Sequence, residues 1–529
     1  MEASVIESPE FPPVPLADLV AHLPGWTRRP VAEIPITAVV MDSRKVCEGY
    51  LFVAIQGEKS DGHRYIEDAI RRGAVAVAGT QALDDLAVPY LQVADGRKAL
   101  AHLAAAFYGF PAHKLTVIGV TGTDGKTTTA NLIYHILRTA GLRAGMISTV
   151  NAVVGDRTLD TGFHVTTPEA PDIQRYLAQM AAAGSEYVIL ETTSHGLAQK
   201  RVAACEFDMA VVTNITHEHL DYHRTYEAYR EAKGALFTSL TGTPIKPGNP
   251  PRGAVLNRDD ASYEYLSAIT RAPSLNYGLS QNANVRAMDV RLEVDRLYFT
   301  VRGEDLERQA FEMQVVSPLV GEFNVHNILA AVTLARGVMG LETDLISRAV
   351  ASVKAVPGRM EQMNMGQEFL AIVDFAHTPN ALRRALETAR RLTHGRVIAV
   401  FGSAGLRDRA KRRMMAETSV ELADLTMMTA EDPRTESLEE ILAEMAAGAE
   451  AYGGIEGQTF WRMPDRREAI RFALRLAKEG DLVIVCGKGH EQSMCFGEIE
   501  YPWDDRVAVQ AALAEYLGIP GPEMPYLPT

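Results

Sequence analysis

The chain has 529 residues, enough for about three domains at ~100–200 residues each. Hydrophobic residues make up 47% and charged residues 23%, an ordinary globular balance that excludes a disordered or fibrous chain. The formal net charge of -14 repels nucleic acid and anionic membrane, which excludes both as general partners and leaves an anionic small substrate only where a local basic pocket overrides the global charge.

Cys47, Cys205, Cys486 and Cys495 form no C-x-x-C pair. That spacing argues against a zinc framework or a disulfide scaffold and for a reducing compartment. Met1-Glu2-Ala3-Ser4 is acidic, so no signal peptide is expected, and no uninterrupted apolar run is long enough to span a bilayer. The expectation is a soluble, cytoplasmic monomer.

In chain order, the residues up to Phe11-Pro12-Pro13 read as a tail. Between 14 and 112 the pattern predicts short strands, 51–55 and 74–78 among them, and a helix over 99–108. Residues 114–120 are a compact buried strand. It runs straight into Gly122-Thr123-Asp124-Gly125-Lys126-Thr127-Thr128, and a helix with Leu132, Ile133, Ile136 and Leu137 follows, ending at Gly141. The design then recurs. Strands over 187–190, 209–212, 369–373, 397–401 and 482–485 lead into Glu191-Thr192-Thr193, Thr213-Asn214-Ile215, Asp374-Phe375-Ala376-His377, Gly402-Ser403-Ala404-Gly405 and Gly487-Lys488-Gly489-His490-Glu491. This is the pattern of α/β parallel sheets, whose ligands collect at the carboxyl ends of strands. Three domains are expected, 14–112, 113–355 and 356–529, with Val356-Pro357-Gly358-Arg359 as the last hinge, a surface loop over 241–252 and a loose tail over 519–529.

A strand, a glycine-rich turn and Lys-Thr at a helix start form a phosphate cradle. Backbone N–H groups and the positive helix end face the anion, Lys126 reaches the β/γ-phosphates and the Thr127 hydroxyl reaches Mg²⁺. The strict Walker spacing fails, because position 120 is Val and the nearest glycine is Gly119.

The form T-G-T-x-G-K-T-T resembles the Mur ligase family, whose members join a carboxylate to an amine with ATP. The resemblance runs over about residues 35–515. It points to the branch that adds a diamino acid to UDP-N-acetylmuramoyl-L-alanyl-D-glutamate. It implies a three-domain fold: a small N-terminal uridine-nucleotide domain, a central P-loop ATPase domain and a C-terminal Rossmann-like domain. Ser43 and Arg44, in Asp42-Ser43-Arg44, would hold uracil and phosphate. Thr166, Thr167, Thr193, Gln199 and Arg201 would contact the muramoyl-dipeptide. Glu191 and His219 would hold Mg²⁺, with Thr127. A zinc reading of His217, His219 and His223 lacks a supporting cysteine. Lys233 matches the lysine that the family carries as a carbamate (N6-carboxylysine), which would ligate a second Mg²⁺. Asn324 and Asn327 lie in the adenine-side segment, and Arg359 and His377 would reach the nucleotide from the C-terminal domain. Asp124 stands where the family usually has Asn, Glu218 where it has Asp, and Phe375 where this branch has Tyr.

Three pieces would form the amino-acid pocket. Arg407 lies in a loop similar to the family's F-G-x-G-G-D-R-D, with Ala404 and Leu406 changed. Gly487 and Glu491 lie in the second. Glu431-Asp432-Pro433-Arg434 stands where D-N-P-R accompanies meso-diaminopimelate. Arg434 suits a distal carboxylate, whereas Asp432 repels one and welcomes an ammonium. Both meso-diaminopimelate and lysine or ornithine stay open, with Arg434 favouring the first; an internal Glu431–Arg434 ion pair framing a turn is a third possibility. Catalysis would proceed through an acyl phosphate, with Lys126 and Mg²⁺ offsetting phosphoryl charge. The alternatives are a related amide ligase of the folylpolyglutamate type and a catalytically silent nucleotide-binding regulator.

Overall fold

Short, largely apolar runs flanked by glycine and polar residues generate the first sheet. In this computed structural model, which describes residues 11–26, 31, 33–57, 60–159, 167–216, 220–293 and 296–529, β1 (Val14–Pro15) pairs antiparallel with β2 (Pro35–Ile36). β3 (Ala38–Val40), β4 (Tyr50–Val53), β5 (Ala74–Gly79) and β6 (Tyr90–Gln92) then form a four-stranded parallel sheet in sequence order. The helix Gly96–Phe107 starts where the Asp95 carboxylate accepts from Lys98 N, satisfying an otherwise orphaned amide.

The central sheet comprises β7 (Thr116–Thr121), β8 (Ala144–Ile147), β9 (Ala152–Val154), β10 (Arg157–Leu159), β11 (Tyr187–Glu191), β12 (Met209–Val212), β13 (Gly253–Asn257) and β14 (Ser274–Gly278), ordered β10-β9-β8-β11-β7-β12-β13-β14. The run from β8 to β14 is parallel, and only β9 and β10 turn back. β7 is nearly all buried and sits between β11 and β12, with Glu191 beside Val120 and Val212 beside Thr121. The order reverses there, so the carboxyl ends open a crevice. Three further strands, β15 (Val285–Leu292), β16 (Leu297–Glu304) and β17 (Ala310–Ser317), follow in that order; the sequence pattern did not single them out.

The second sheet comprises β18 (Glu361–Gln362), β19 (Leu370–Asp374), β20 (Val397–Phe401), β21 (Leu425–Met428), β22 (Phe460–Arg462) and β23 (Leu482–Cys486), ordered β18-β19-β23-β20-β21-β22 and parallel except for β18. An antiparallel hairpin of β24 (Ser493–Phe496) and β25 (Ile499–Pro502) follows. The chain divides into two compact units. One is Met1–Arg286 with Gly303–Phe311 and Leu329–Ile346; the other is Ala287–Arg302 with Glu312–Ile328 and Ser347–Thr529.

Two expectations for surface segments change. The stretch 519–529 is not loose: Leu527 is buried in the core that holds Trp503 and Leu513, and Met524 packs against it. Apolar residues spaced along a proline-rich tail suffice to dock it. In the 241–252 loop Ile245 is exposed, but Lys246 is buried, donating to Asp208 (2.6 Å) and to the carbonyls of Leu115 and Glu206. A buried cation needs such partners, so the loop is pinned. No described helix is long and apolar enough to cross a membrane.

Candidate active site

At the end of β7 the chain passes so close to β12 that Gly122 is obligatory. A Cβ there would lie 1.8 Å from Thr213 Oγ1, and φ is +151°. The loop is then fixed through its backbone. Asp124 N donates to Asn214 Oδ1 (3.0 Å), while Asn214 Nδ2 and Thr213 Oγ1 donate to Asp124 O. The helix Lys126–Thr139 begins directly after Gly125, whose φ is +81°, so its first amides and dipole face the loop. Lys126 Nζ folds back onto Thr123 O (2.7 Å).

Beside this loop, the Thr127 hydroxyl donates to both oxygens of Glu191 (3.0 and 3.1 Å), and Thr149 N donates to the same carboxylate. Glu191 is buried, so its polar oxygens rely on these donors. Lys233 is not an exposed helix lysine: it is 1% exposed, its Nζ donates to Gly122 O (2.5 Å), and it lies over the Tyr229 ring. Tyr229 in turn meets Thr123 Oγ1 at 3.0 Å. His219 lies outside the described residues, as do His217 and Glu218; among the described residues no group of three His, Cys, Asp or Glu side chains stands ready for a metal.

The candidate dipeptide residues come together around the end of β11. Thr167 Oγ1 donates to Glu191 O and meets Thr193 Oγ1 at 3.1 Å, and Thr193 caps the short helix Ser194–Ala198. Arg201 donates to Thr167 O (2.7 Å) and Gln199 Oε1 (2.8 Å) and pairs with Glu169 (2.7 Å). Thr166 lies outside the described residues. In the N-terminal sheet, Ser43 is buried, while Arg44 is exposed and paired with Asp42, whose carboxyl the guanidinium holds below the usual range. Asn324 and Asn327 are buried and bonded to each other (2.9 Å) at the start of the helix Phe323–Val332. Arg359 lies 4.4 Å over the Phe375 ring, and His377 meets Phe375 O.

The remaining candidates meet at the carboxyl ends of β20, β21 and β23. Here the loops pack backbone against backbone. A Cβ on Gly405 would lie 2.0 Å from Pro433 O, and one on Gly358 would lie 2.2 Å from Gly489 C. Leu406, Asp432 and Arg434 all take φ between +40° and +56°, strain that persists only where surroundings enforce it.

Glu431 does not pair with Arg434. It is buried beneath Gly402 and Gly487, its Oε2 has no partner among the described residues, and burial pushes its carboxyl up to about 7. Asp432 is held by Lys488 Nζ at 3.0 Å from each of its oxygens, and by Cys495 N at 2.9 Å. Lys488 also pairs with Glu491. Arg434 is half-buried, and among the described residues its guanidinium hydrogen-bonds only to Gly405 O, at 3.4 Å, with no carboxylate pairing with it. Arg407 is exposed.

Family comparison decides what this constellation belongs to. The Mur ligase family, catalytic domain, matches residues 35–108; the Mur ligase middle domain matches 120–335; and the Mur ligase, glutamate ligase domain, matches 358–489. The chain belongs to the Mur ligase family. It is an ATP-dependent, amide-forming ligase. Among similar Mur ligases, the UDP-N-acetylmuramoyl-L-alanyl-D-glutamate–2,6-diaminopimelate ligase of Geobacillus kaustophilus (strain HTA426) is 42% identical over 94% of this chain and 99% of its own. The UDP-N-acetylmuramyl-tripeptide synthetase of Roseiflexus sp. (strain RS-1) is 43% identical over 94% and 99%. A solved UDP-N-acetylmuramoyl-L-alanyl-D-glutamate–2,6-diaminopimelate ligase structure matches with TM-score 0.64 and 30% identity, covering 96% of this chain and 99% of that one.

Sequence reasoning missed three parts of this Mur ligase site. In the sequence Lys488 is one residue of the Gly487–Glu491 motif with nothing to mark a role; its burial between two acids is a tertiary fact. The β24–β25 hairpin gave only a weak signal, the glycine of Phe496-Gly497-Glu498, yet Arg434 N donates to Cys495 O and Gly497 N to Arg434 O. Arg466, fully buried, pairs with Asp505 (2.7 Å) and donates to Ala430 O and Cys486 O, tying the ends of β21 and β23 together.

Proposed function

We propose that this ligase adds a diamino acid, meso-diaminopimelate, to the free carboxylate of the D-glutamyl residue in UDP-N-acetylmuramoyl-L-alanyl-D-glutamate. The observation that carries the choice is Arg434, a guanidinium with no carboxylate partner among the described residues, in a pocket where Asp432 is already engaged by Lys488. A guanidinium recognises a carboxylate by two parallel hydrogen bonds. The names of the similar ligases support the same substrate pair.

An ionised carboxylate does not accept an amine in water, so activation comes first. A carboxylate oxygen of the D-glutamyl group attacks the γ-phosphorus of ATP, and ADP leaves. The neutral amine then attacks the acyl carbon, phosphate departs, and the nitrogen gives up one of its two protons to leave the amide N–H. Gly122–Thr128 would hold the phosphates through backbone amides, with Lys126 swinging from Thr123 O to the transferring group. Thr167, Thr193, Gln199 and Arg201 would hold the dipeptide. Thr127 and Glu191, hard oxygen donors at the loop, fit Mg²⁺, with His219; bound there it would offset phosphate charge. Asn324, Asn327, Arg359 and His377 would serve the nucleotide, and Ser43 and Arg44 the uridine end. The three-domain division at 112 and 355, cytoplasmic location and action as a monomer belong to the same proposal.

Lys233 is proposed to carry a carbamate. Lys233 is buried beside the loop, and a lysine amine in its neutral form adds CO₂ through a new N–C bond and releases a proton, leaving a carbamate anion. The mass of protein handled gently near neutral pH should exceed the sequence mass by one CO₂, and the excess should vanish in Lys233→Ala; an unmodified mass would end this reading.

Phosphate release tests the function. With UDP-N-acetylmuramoyl-L-alanyl-D-glutamate and ATP, meso-diaminopimelate should stimulate it well above L-lysine or L-ornithine. Stimulation by L-lysine or L-ornithine alone would overturn the amino-acid assignment, and none with any amino acid would favour a silent nucleotide binder.

A further inference from the structure

The pocket contains an apparent contradiction: an acid, Asp432, two residues from the arginine that should receive a carboxylate. Its surroundings resolve it. Lys488 lies one residue past β23, after Gly487, with no exposed side-chain surface, and its ammonium lies 3.0 Å from Oδ1 and 3.0 Å from Oδ2 of Asp432. Cys495 N supplies another donor to Oδ1 (2.9 Å). The Asp432 carboxylate is therefore turned inward and saturated on the side of β24. The same ammonium pairs with Glu491, so one buried cation serves two acids that flank the pocket.

Buried charges survive only when paired, and the pairing here is mutual. Burial works against the charge on Lys488, yet Glu491 and Asp432 more than offset it and raise its pKa. Lys488 is thus cationic throughout the working range. Asp432, in turn, takes its left-handed backbone (φ +40°) within a loop whose neighbour Arg434 is bonded at N to Cys495 O and at O to Gly497 N.

We infer that Lys488 is a specificity-determining positioning residue. By engaging both oxygens of Asp432 while also pairing with Glu491, it offsets the charge of the acid nearest Arg434, which leaves Arg434 as the group that sets which distal substituent is accepted. Lys488 touches no substrate; it acts through its two acids. Without it, the exposed charge of Asp432 would oppose a distal carboxylate and favour a distal ammonium. This rests on the reading that Arg434 receives a distal carboxylate.

The test is a ratio: kcat/KM for meso-diaminopimelate over kcat/KM for L-lysine, measured on the full-length enzyme. Lys488→Met, of similar length and uncharged, should lower that ratio by about tenfold or more, mainly through the KM for meso-diaminopimelate. Lys488→Met/Asp432→Asn should return the ratio toward the parent value, because the unpaired acid beside Arg434 has gone even though Glu491 remains. Equal loss with both amino acids and no recovery in the double variant would overturn the inference in favour of a scaffolding role. If Lys488→Met does not fold, Asp432→Asn alone decides: with Lys488 retained, the ratio should rise several-fold, and an unchanged or lowered ratio overturns the inference. A parent enzyme that prefers L-lysine would overturn the Arg434 reading and leave the direction of the variant ratios as the test of Lys488.

Discussion

Glu431 shows how much one buried carboxyl shapes this site. It lies under two glycines, with Oε2 2.3 Å from where a Gly487 Cβ would be; a side chain there would displace the acid and would also strain a backbone at φ +113°. Its raised pKa makes the folded state bind a proton that the unfolded chain releases near the ordinary carboxylate value of 4.5. The stability linked to that proton is fully present below about 4.5 and is lost as pH rises through about 7. Over that window the folded state should lose about 3 kcal/mol, an order-of-magnitude figure from a shift of roughly two to three units at 1.36 kcal/mol each. Denaturant titrations between pH 4.5 and 8 should show this decline in the parent and a flatter profile in Glu431→Gln. Parallel profiles would remove Glu431 as its source. Lys488 was legible as a residue type within Gly487–Glu491, but not as a partner of Asp432, which is 56 residues away in the chain.

Among elements, the strands that end in chemistry were the readable ones. β7, β11, β12, β20 and β23 are short, apolar and followed at once by polar or glycine-rich residues, so both strand and site appear in one stretch. The β24–β25 hairpin is the opposite case. Its four-residue strands carry no strong alternation, and it matters because it lies against the 431–434 loop rather than because of its own side chains. The Cys495 amide is its contact with the Asp432 carboxylate. Cys495→Pro removes that donor from Asp432, a bond to a charged group that contributes roughly 1.5–3 kcal/mol. The KM for the amino acid should rise about tenfold or more while the KM for ATP stays as it is. Equal changes in both would mean that the hairpin supports the whole unit rather than this loop.

At the scale of the whole molecule, the alternation of apolar strands and amphipathic helices was enough to predict parallel α/β sheets with their ligands at the strand ends. The glycine loop, by its local geometry alone, announced a phosphate site. These features are written within runs of a few residues, because hydrogen-bond geometry and side-chain periodicity act at that range. The docking of Leu527 and the pinning of the 241–252 loop by Lys246 were not readable, since each depends on a surface that distant segments build. The amino-acid pocket divides along the same line. The sequence determined that Glu431, Asp432, Arg434, Lys488 and Glu491 would supply it. Only the tertiary structure decided that Asp432 and Glu491 face Lys488 and that, among the described residues, Oε2 of the buried Glu431 has no hydrogen-bond partner and Arg434 no carboxylate partner. The reason is physical: composition counts charges, but in a buried site their effect depends on which charge lies within a few ångströms of which.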